Sequence, residues 1–165
     1  MRNIYILLII VFLFACGCTN RENADAPDQA KLIASLEKIS DQYLVAWNNK
    51  DLNTLDELTS DKGEYYGSAP EEIMDKQGLM EMYSLFFEDT TSSYKYTVDS
   101  RNIRISSDGN SVIIYERIIF QKWSPEMPLC QTSHLIKIKG KWKIDFISWG
   151  FIIKNGDVEK VNEIL

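Results

Sequence analysis

The chain has 165 residues, 45% of them hydrophobic and 25% charged, and carries a net charge of −6 at pH 7. That length suits one domain of ordinary size, able to bury roughly 68% of its unfolded surface, and the acidic balance opposes a phosphate backbone, which argues against a nucleic-acid partner. Of the three cysteines, Cys16, Cys18 and Cys130, two sit close to the start, so no disulfide inside the domain is expected and the fold must rest on its core.

Arg2 precedes an unbroken apolar run from Ile4 to Ala15. The run falls short of the ~20 residues a transmembrane helix needs and reads instead as an export signal. Its end, Leu13-Phe14-Ala15-Cys16, resembles the lipobox of bacterial lipoproteins, in which the cysteine is acylated and becomes the first residue of the mature chain. Cys16 is the expected lipidation site, Cys18 the second candidate, and an ordinary cleaved secretory peptide the alternative. Cleavage would remove Arg2 and take the net charge to −7. The expected location is the cell membrane or outer membrane through the acyl anchor, with the domain in the periplasm or outside the cell. After this leader, residues 1–18, the polar stretch 19–27 ends in Pro27 and reads as a flexible tether, and residues 28–165 form the domain.

From Asp28 to Asn49 the apolar positions Leu32, Ile33, Leu36, Ile39, Tyr43, Leu44 and Trp47 recur at helical spacing, and Asp28 can cap the start. A second short helix carries Leu52, Leu55 and Leu58, with Asp51 as N-cap and a turn at Asp61-Lys62-Gly63. Glu64 to Gly67 reads as a short strand, Pro70 to Met74 as a helical turn, and Lys76 to Phe87 as a third helix. The period then changes to two: strands are expected over Tyr94–Ile105 and Val112–Trp123, joined by a turn at Ser107-Asp108-Gly109-Asn110. Ser124 to Pro128, with two prolines, should break the sheet. Two last strands, Cys130–Lys139 and Trp142–Phe151, precede a short tail. Helices first, then sequential strands with short turns, predict an α+β fold with a curved, mostly antiparallel sheet.

The final hairpin fixes the expected inside. Taking Lys139-Gly140-Lys141 as a three-residue loop pairs Ile138 with Trp142, Ile136 with Ile144, His134 with Phe146 and Thr132 with Ser148, and turns the lysines to solvent. The single histidine then points inward. The preceding strand is apolar on both faces, which suggests either a homodimer through the sheet or cover by the C-terminal segment.

Trp47-Asn48-Asn49-Lys50-Asp51-Leu52, Tyr66-Gly67 followed by Pro70-Glu71-Glu72 and Lys76-Gln77-Gly78, and Gly140-Lys141-Trp142-Lys143-Ile144 together resemble the SnoaL-like, or nuclear transport factor 2-like, superfamily over about residues 32–151. The resemblance implies a cone-shaped, cystatin-like domain whose sheet wraps the long helix and leaves a pocket at its open end. Members include isomerases, cyclases, dehydratases and non-catalytic binding domains, so the fold alone supplies no function.

The sharpest catalytic arrangement joins His134 with Glu116 or Arg117 on the neighbouring strand, an imidazole oriented by a carboxylate in an apolar cavity being a competent general base. Glu116 and Arg117 are adjacent and face opposite ways, so only one enters the pocket. Tyr66 and Tyr96 are candidate oxyanion donors. The alternative is a buried histidine bonded to Thr132 or Ser148. The expected pocket lining is Tyr66, Tyr96, Thr132, His134, Trp142, Phe146 and Ser148, with a few of Tyr65, Tyr83, Phe86 and Phe87 contributing. Glu71, Glu72 and Asp75 are possible rim carboxylates, although acidic residues before a helix more often complement its positive end. Cys130 reads as a small buried hydrophobe rather than a nucleophile. No metal or other cofactor is expected, since ligand clusters, phosphate-cradling glycine loops and nucleophile elbows are not found in the sequence. The favoured reading is therefore a lipid-anchored envelope protein binding a small apolar or amphipathic molecule or a partner protein, with isomerase- or dehydratase-like acid–base catalysis as the second.

Overall fold

The computed structural model describes residues 26–90 and 93–164. The expected leader, with Cys16 and Cys18, lies outside the described residues. The chain divides into two compact units, one ending at Leu36 and one starting at Glu37. In the first, the described residues 26–36 are helical, and Ser35 Oγ donates to the Leu32 carbonyl at 2.7 Å.

Helix α1 (Ala26–Asn48) begins two residues before the expected cap, leaving Asp28 in its first turn. It ends because Lys50 takes a left-handed conformation, φ +59°. The Asp51 and Lys50 amides then donate back to the Ala46 and Trp47 carbonyls at 2.8 and 3.0 Å, which closes the last turn. Helix α2 (Leu52–Leu58) starts at once, capped by Asp51, whose Oδ1 accepts from the Thr54 amide at 3.1 Å. Strand β1 (Thr59–Tyr66) absorbs the expected Asp61-Lys62-Gly63 turn within a register irregularity between Thr59 and Glu64. A two-residue strand β2 (Ile73–Met74) stands where a helical turn was expected. Helix α3 (Lys76–Glu88) is capped by Asp75, whose Oδ1 accepts from the Gly78 amide at 2.9 Å. Strands β3 (Tyr96–Ile105), β4 (Ser111–Phe120), β5 (Ser124–Ile138) and β6 (Lys141–Phe151) follow, then a 3-10 turn (Asn155–Asp157) and the short helix α4 (Val158–Asn162).

The six strands form one sheet in the order β2-β1-β6-β5-β4-β3, antiparallel throughout except for the parallel pair β1 and β6. The α+β class and the mostly antiparallel sheet are as the sequence indicated.

Two local expectations are corrected. The segment Ser124–Pro128 does not break the sheet but opens β5. Phe120 pairs with Ser124 and Ile118 with Leu129, so β5 spends more residues than β4 over this step. Both prolines fall in the unpaired surplus, where no ladder N–H is required.

The final hairpin turns on two residues rather than three. Ile138 pairs with Lys141, and Lys139 and Gly140 both take positive φ, +51° and +80°, the geometry of a type I′ turn. Leu135 therefore faces Ile144, Ile136 faces Lys143 and Lys137 faces Trp142. Between Ile144 and Phe146 an extra residue, Asp145, is inserted as a bulge, which restores the expected pairs His134 with Phe146 and Thr132 with Ser148.

The pairing is as expected there, but the faces are reversed. On β5 the buried positions are Leu129, Gln131, Ser133 and Leu135. Thr132, His134 and Ile136 lie on the opposite face, which also carries Ile113 and Tyr115 of β4. The lysine parity of β5 is thus the inward one, and Lys137 escapes burial only because the strand has run past the core, where its Nζ sits 4.8 Å from the centre of the Trp142 ring.

Candidate functional site

Glu116 sits at the middle of the inner sheet face, and its side chain is only 3% exposed. A carboxylate there must be paired or it costs several kcal/mol. Three elements converge on it. From α1, the Ser40 hydroxyl donates to Oε1 at 2.6 Å; from β3, Arg101 Nε donates to the same oxygen at 2.6 Å; from β5, Gln131 Nε2 donates to Oε2 at 3.2 Å. Arg101 reaches outward as well, to Asp41 Oδ1 at 2.7 Å. Burial works against the Arg101 charge, but the bonds to Asp41 and Glu116 outweigh it and raise its pKa above the usual value.

Around this cluster lie fully buried phenols. The Tyr43 and Tyr83 hydroxyls are hydrogen-bonded to each other. Burial pushes Tyr43, Tyr83 and Tyr96 well above the usual tyrosine pKa, and Tyr65 to about 12. All four phenols are therefore neutral at physiological pH. The Tyr96 hydroxyl is buried without a hydrogen-bond partner, and Tyr43, Glu116 and Arg101 act on it electrostatically.

The network extends to a cavity through one bond: the Gln131 side-chain carbonyl accepts from Trp149 Nε1 at 2.8 Å. Trp149 forms one wall of a partly open cavity of about 170 Å³. Trp47 forms another, and the motif around it explains how the wall is held. Trp47 Nε1 donates to the Tyr94 carbonyl at 2.6 Å. The Asn48 amide then makes a two-way bond with the Tyr96 backbone, 2.9 and 3.0 Å, fastening the end of α1 to the start of β3. Phe86, Tyr94, Phe120 and Trp123 complete the aromatic part of the wall, with Met82 and Leu129 between them. Neighbouring rings are mostly steeply inclined: Phe120 and Trp123 meet at 89° with centroids 5.2 Å apart, and Trp47 meets Phe120 at 71°. The arrangement is a box, not a stack. Its polar part comes from the turn after β1, where Gly67, Ser68 and Glu72 line the rim. Gly67 is required there: a Cβ would lie 1.9 Å from Glu72 Oε2, which accepts from the Ala69 amide at 3.0 Å.

The structure separates the side chains that the sequence suggested would act together. Glu116 points inward and Arg117 outward, where it pairs with Asp99. His134, expected beside Glu116, is on the opposite face of the sheet; its side chain is 33% exposed and its Nδ1 lies 2.7 Å from Asp145 Oδ1. The expected His134–Glu116 dyad is not formed, because the polar stripe Gln131 and Ser133 is the buried one and the bulge at Asp145 turns Phe146 and Ser148 outward together with Thr132 and His134. Tyr66 is on that outer face too, its ring 5.6 Å from Phe146 and its hydroxyl 2.5 Å from Glu64 Oε1. Trp142 stands at the hairpin end under Lys137. Of the seven main lining residues expected only Tyr96 is interior, and it does not reach the cavity wall, whereas Phe86, among the rings expected to contribute, does line it. Cys130 is half-buried on the outer face opposite Gly150 rather than in the core. Among the acidic residues before the third helix, Asp75 caps the helix while Glu72 joins the cavity rim. The signal that marks the cavity in the sequence is the scarcest ring: three of the four tryptophans, Trp47, Trp123 and Trp149, wall it.

These residues fall within the stretch 36–149 that matches the SnoaL-like domain. No curated protein matches the chain. Among solved structures it is similar to an NTF2-like protein from Cytophaga hutchinsonii, 18% identical, covering 72% of this chain and 97% of that one with a TM-score of 0.61. It is also similar to an uncharacterized protein with a cystatin-like fold from Caulobacter vibrioides, 10% identical, covering 81% and 98% with a TM-score of 0.66. At such identities the likeness establishes the fold.

Removing the counter-ion of Glu116 tests the network. Arg101→Met should lower the unfolding free energy by about 3 kcal/mol in urea denaturation, since it strands a buried carboxylate, and adding Glu116→Gln should restore at least half of that loss. A double variant as unstable as the single one would show that the charge is not what Arg101 serves.

Proposed function

The chain belongs to the SnoaL-like domain family, and from that premise we propose that it is a lipid-anchored protein of the bacterial cell envelope whose aromatic cavity binds a small apolar or amphipathic molecule. The observation that carries this reading is the cavity itself, walled by six aromatic rings and held from behind by hydrogen bonds to Trp47 and Trp149. Rings of this size otherwise pack against one another to native density, so six of them set around a cavity support a binding role. Its size limits the occupant. An apolar cavity of ~150 Å³ takes a benzene, so about 170 Å³ suits one ring with a short substituent. The anchor reading rests on Leu13-Phe14-Ala15-Cys16, with Cys16 as the acylated residue.

A second reading concerns the outer face of the sheet. Ile113 and Tyr115 are 46% and 43% exposed there, beside Thr132 and His134, and the flanking Arg117–Asp99 pair supplies a polar border. We propose that this face meets a second copy of the chain about a two-fold axis, which would cover both patches at once.

Three measurements test these readings. Titrating one-ring solutes of positive, neutral and negative charge into the full-length protein should give a saturable change in tryptophan emission with at least one of them, and Ser68→Phe, which closes the rim, should abolish it; a flat response to every solute would sink the cavity reading. The intact mass of membrane-extracted protein should carry acyl chains that Cys16→Ser removes, whereas an unmodified mass would end the anchor proposal. Sedimentation should report a dimer that Ile113→Glu converts to a monomer; a monomer before substitution rules the pairing out.

A further inference from the structure

We infer that the cavity selects a small organic cation, an alkyl- or arylammonium group, over a neutral or anionic molecule of the same size; this rests on the cavity-binding reading above and names the ligand class. Three observations lead there. First, the wall contains one ionisable acid and no basic side chain: Glu72 lines it, and no Lys, Arg or His does. Lys50 and Lys95 line a neighbouring hollow that shares Trp47, Phe86 and Tyr94 with this one, and the Lys50 ammonium is already bonded to the Phe87 carbonyl.

Second, Glu72 is only half satisfied by the protein. Its Oε2 accepts from the Ala69 amide at 3.0 Å, and among the described residues no cation pairs with it. A neutral apolar occupant would strip water from this carboxylate and return nothing for it, and an anion would add repulsion; an ammonium supplies both a counter-charge and donors. Gly67 keeps the carboxylate at the rim, since any side chain there would collide with it.

Third, the remaining walls suit a cation as well. Trp47, Trp123, Trp149 and Phe120 surround the space at steep mutual angles, so an occupant meets several rings at once. A desolvated cation gains from the negative faces of such rings, most of all from tryptophan. The acidic charge of the whole chain favours the approach of cations.

The test compares benzylammonium, benzyl alcohol and benzoate, near-isosteric one-ring probes, by calorimetry and tryptophan emission on the full-length protein. Benzylammonium should bind at least about tenfold more tightly than benzyl alcohol, with benzoate the weakest. In Glu72→Gln, folded by circular dichroism, the first two should come within about threefold of each other. Benzyl alcohol or benzoate binding as tightly as benzylammonium to the unaltered protein overturns the cation assignment and leaves cavity binding standing. A cation preference that survives Glu72→Gln overturns the part given to Glu72 as the counter-charge. Binding of none of the three overturns the cavity reading and this inference with it.

Discussion

A single desolvated charge organises the inner face of the sheet. Glu116 is carried by β4 into a region where an unpaired carboxylate costs several kcal/mol, comparable with the ~1.5–3 kcal/mol from burying a large apolar side chain. Its three donors come from α1, β3 and β5, so the carboxylate is satisfied only when these elements are in register. A slip of one residue in β5 would replace Gln131 by Cys130 or Thr132 and leave Oε2 without its donor. The cluster thus acts as a register mark for the sheet, at the cost of placing Gln131 and Ser133 inside and leaving apolar residues of the same strands outside.

The cavity is built on that mark. Gln131 spends its amide N–H on Glu116 and its carbonyl on Trp149, so the wall of the cavity and the buried charge share one side chain. On the other side, Trp47 is gripped through its N–H by Tyr94 and through its ring by Tyr83 and Phe87, with centroids 4.8 and 5.3 Å away. Two indoles held by directed hydrogen bonds, their ring centroids 6.2 Å apart, thus form adjoining parts of the wall of the 170 Å³ cavity. The polar network and the aromatic box are therefore two consequences of the same arrangement.

Local signals were readable in the sequence because they are local. Asp51 and Asp75 cap the helices that follow them, and the bounds of α2 and α3 are legible to within one residue, α2 from the Asp51 cap and both from the apolar period. The Trp47-Asn48 motif marked a helix junction, though its role as a clamp on β3 depends on residues forty-seven and forty-eight positions away and has no local trace. The face of the terminal hairpin was misread for a physical reason. Alternation assigns apolar residues inward and lysines outward, but on β5 half of the buried set is polar, Gln131 and Ser133 near Glu116, while His134 and Ile136 sit on the far side. The rule fails wherever a buried charge recruits polar neighbours.

The pairing of His134 with Phe146 came from two offsetting departures, and the second has a structural purpose. The two-residue turn alone would keep Ile144 inward and then place Phe146 inward and Ile147 and Trp149 outward. Inserting Asp145 as a bulge reverses the alternation beyond it, so that Ile147 is buried and Trp149 reaches Gln131 and the cavity. The displaced carboxylate of Asp145 does not go unpartnered, since it meets His134 at 2.7 Å on the other face. Bulges of this kind re-aim side chains next to functional sites. Here one extra residue decides whether the third tryptophan faces the box or solvent, and with it whether the box has a wall on that side.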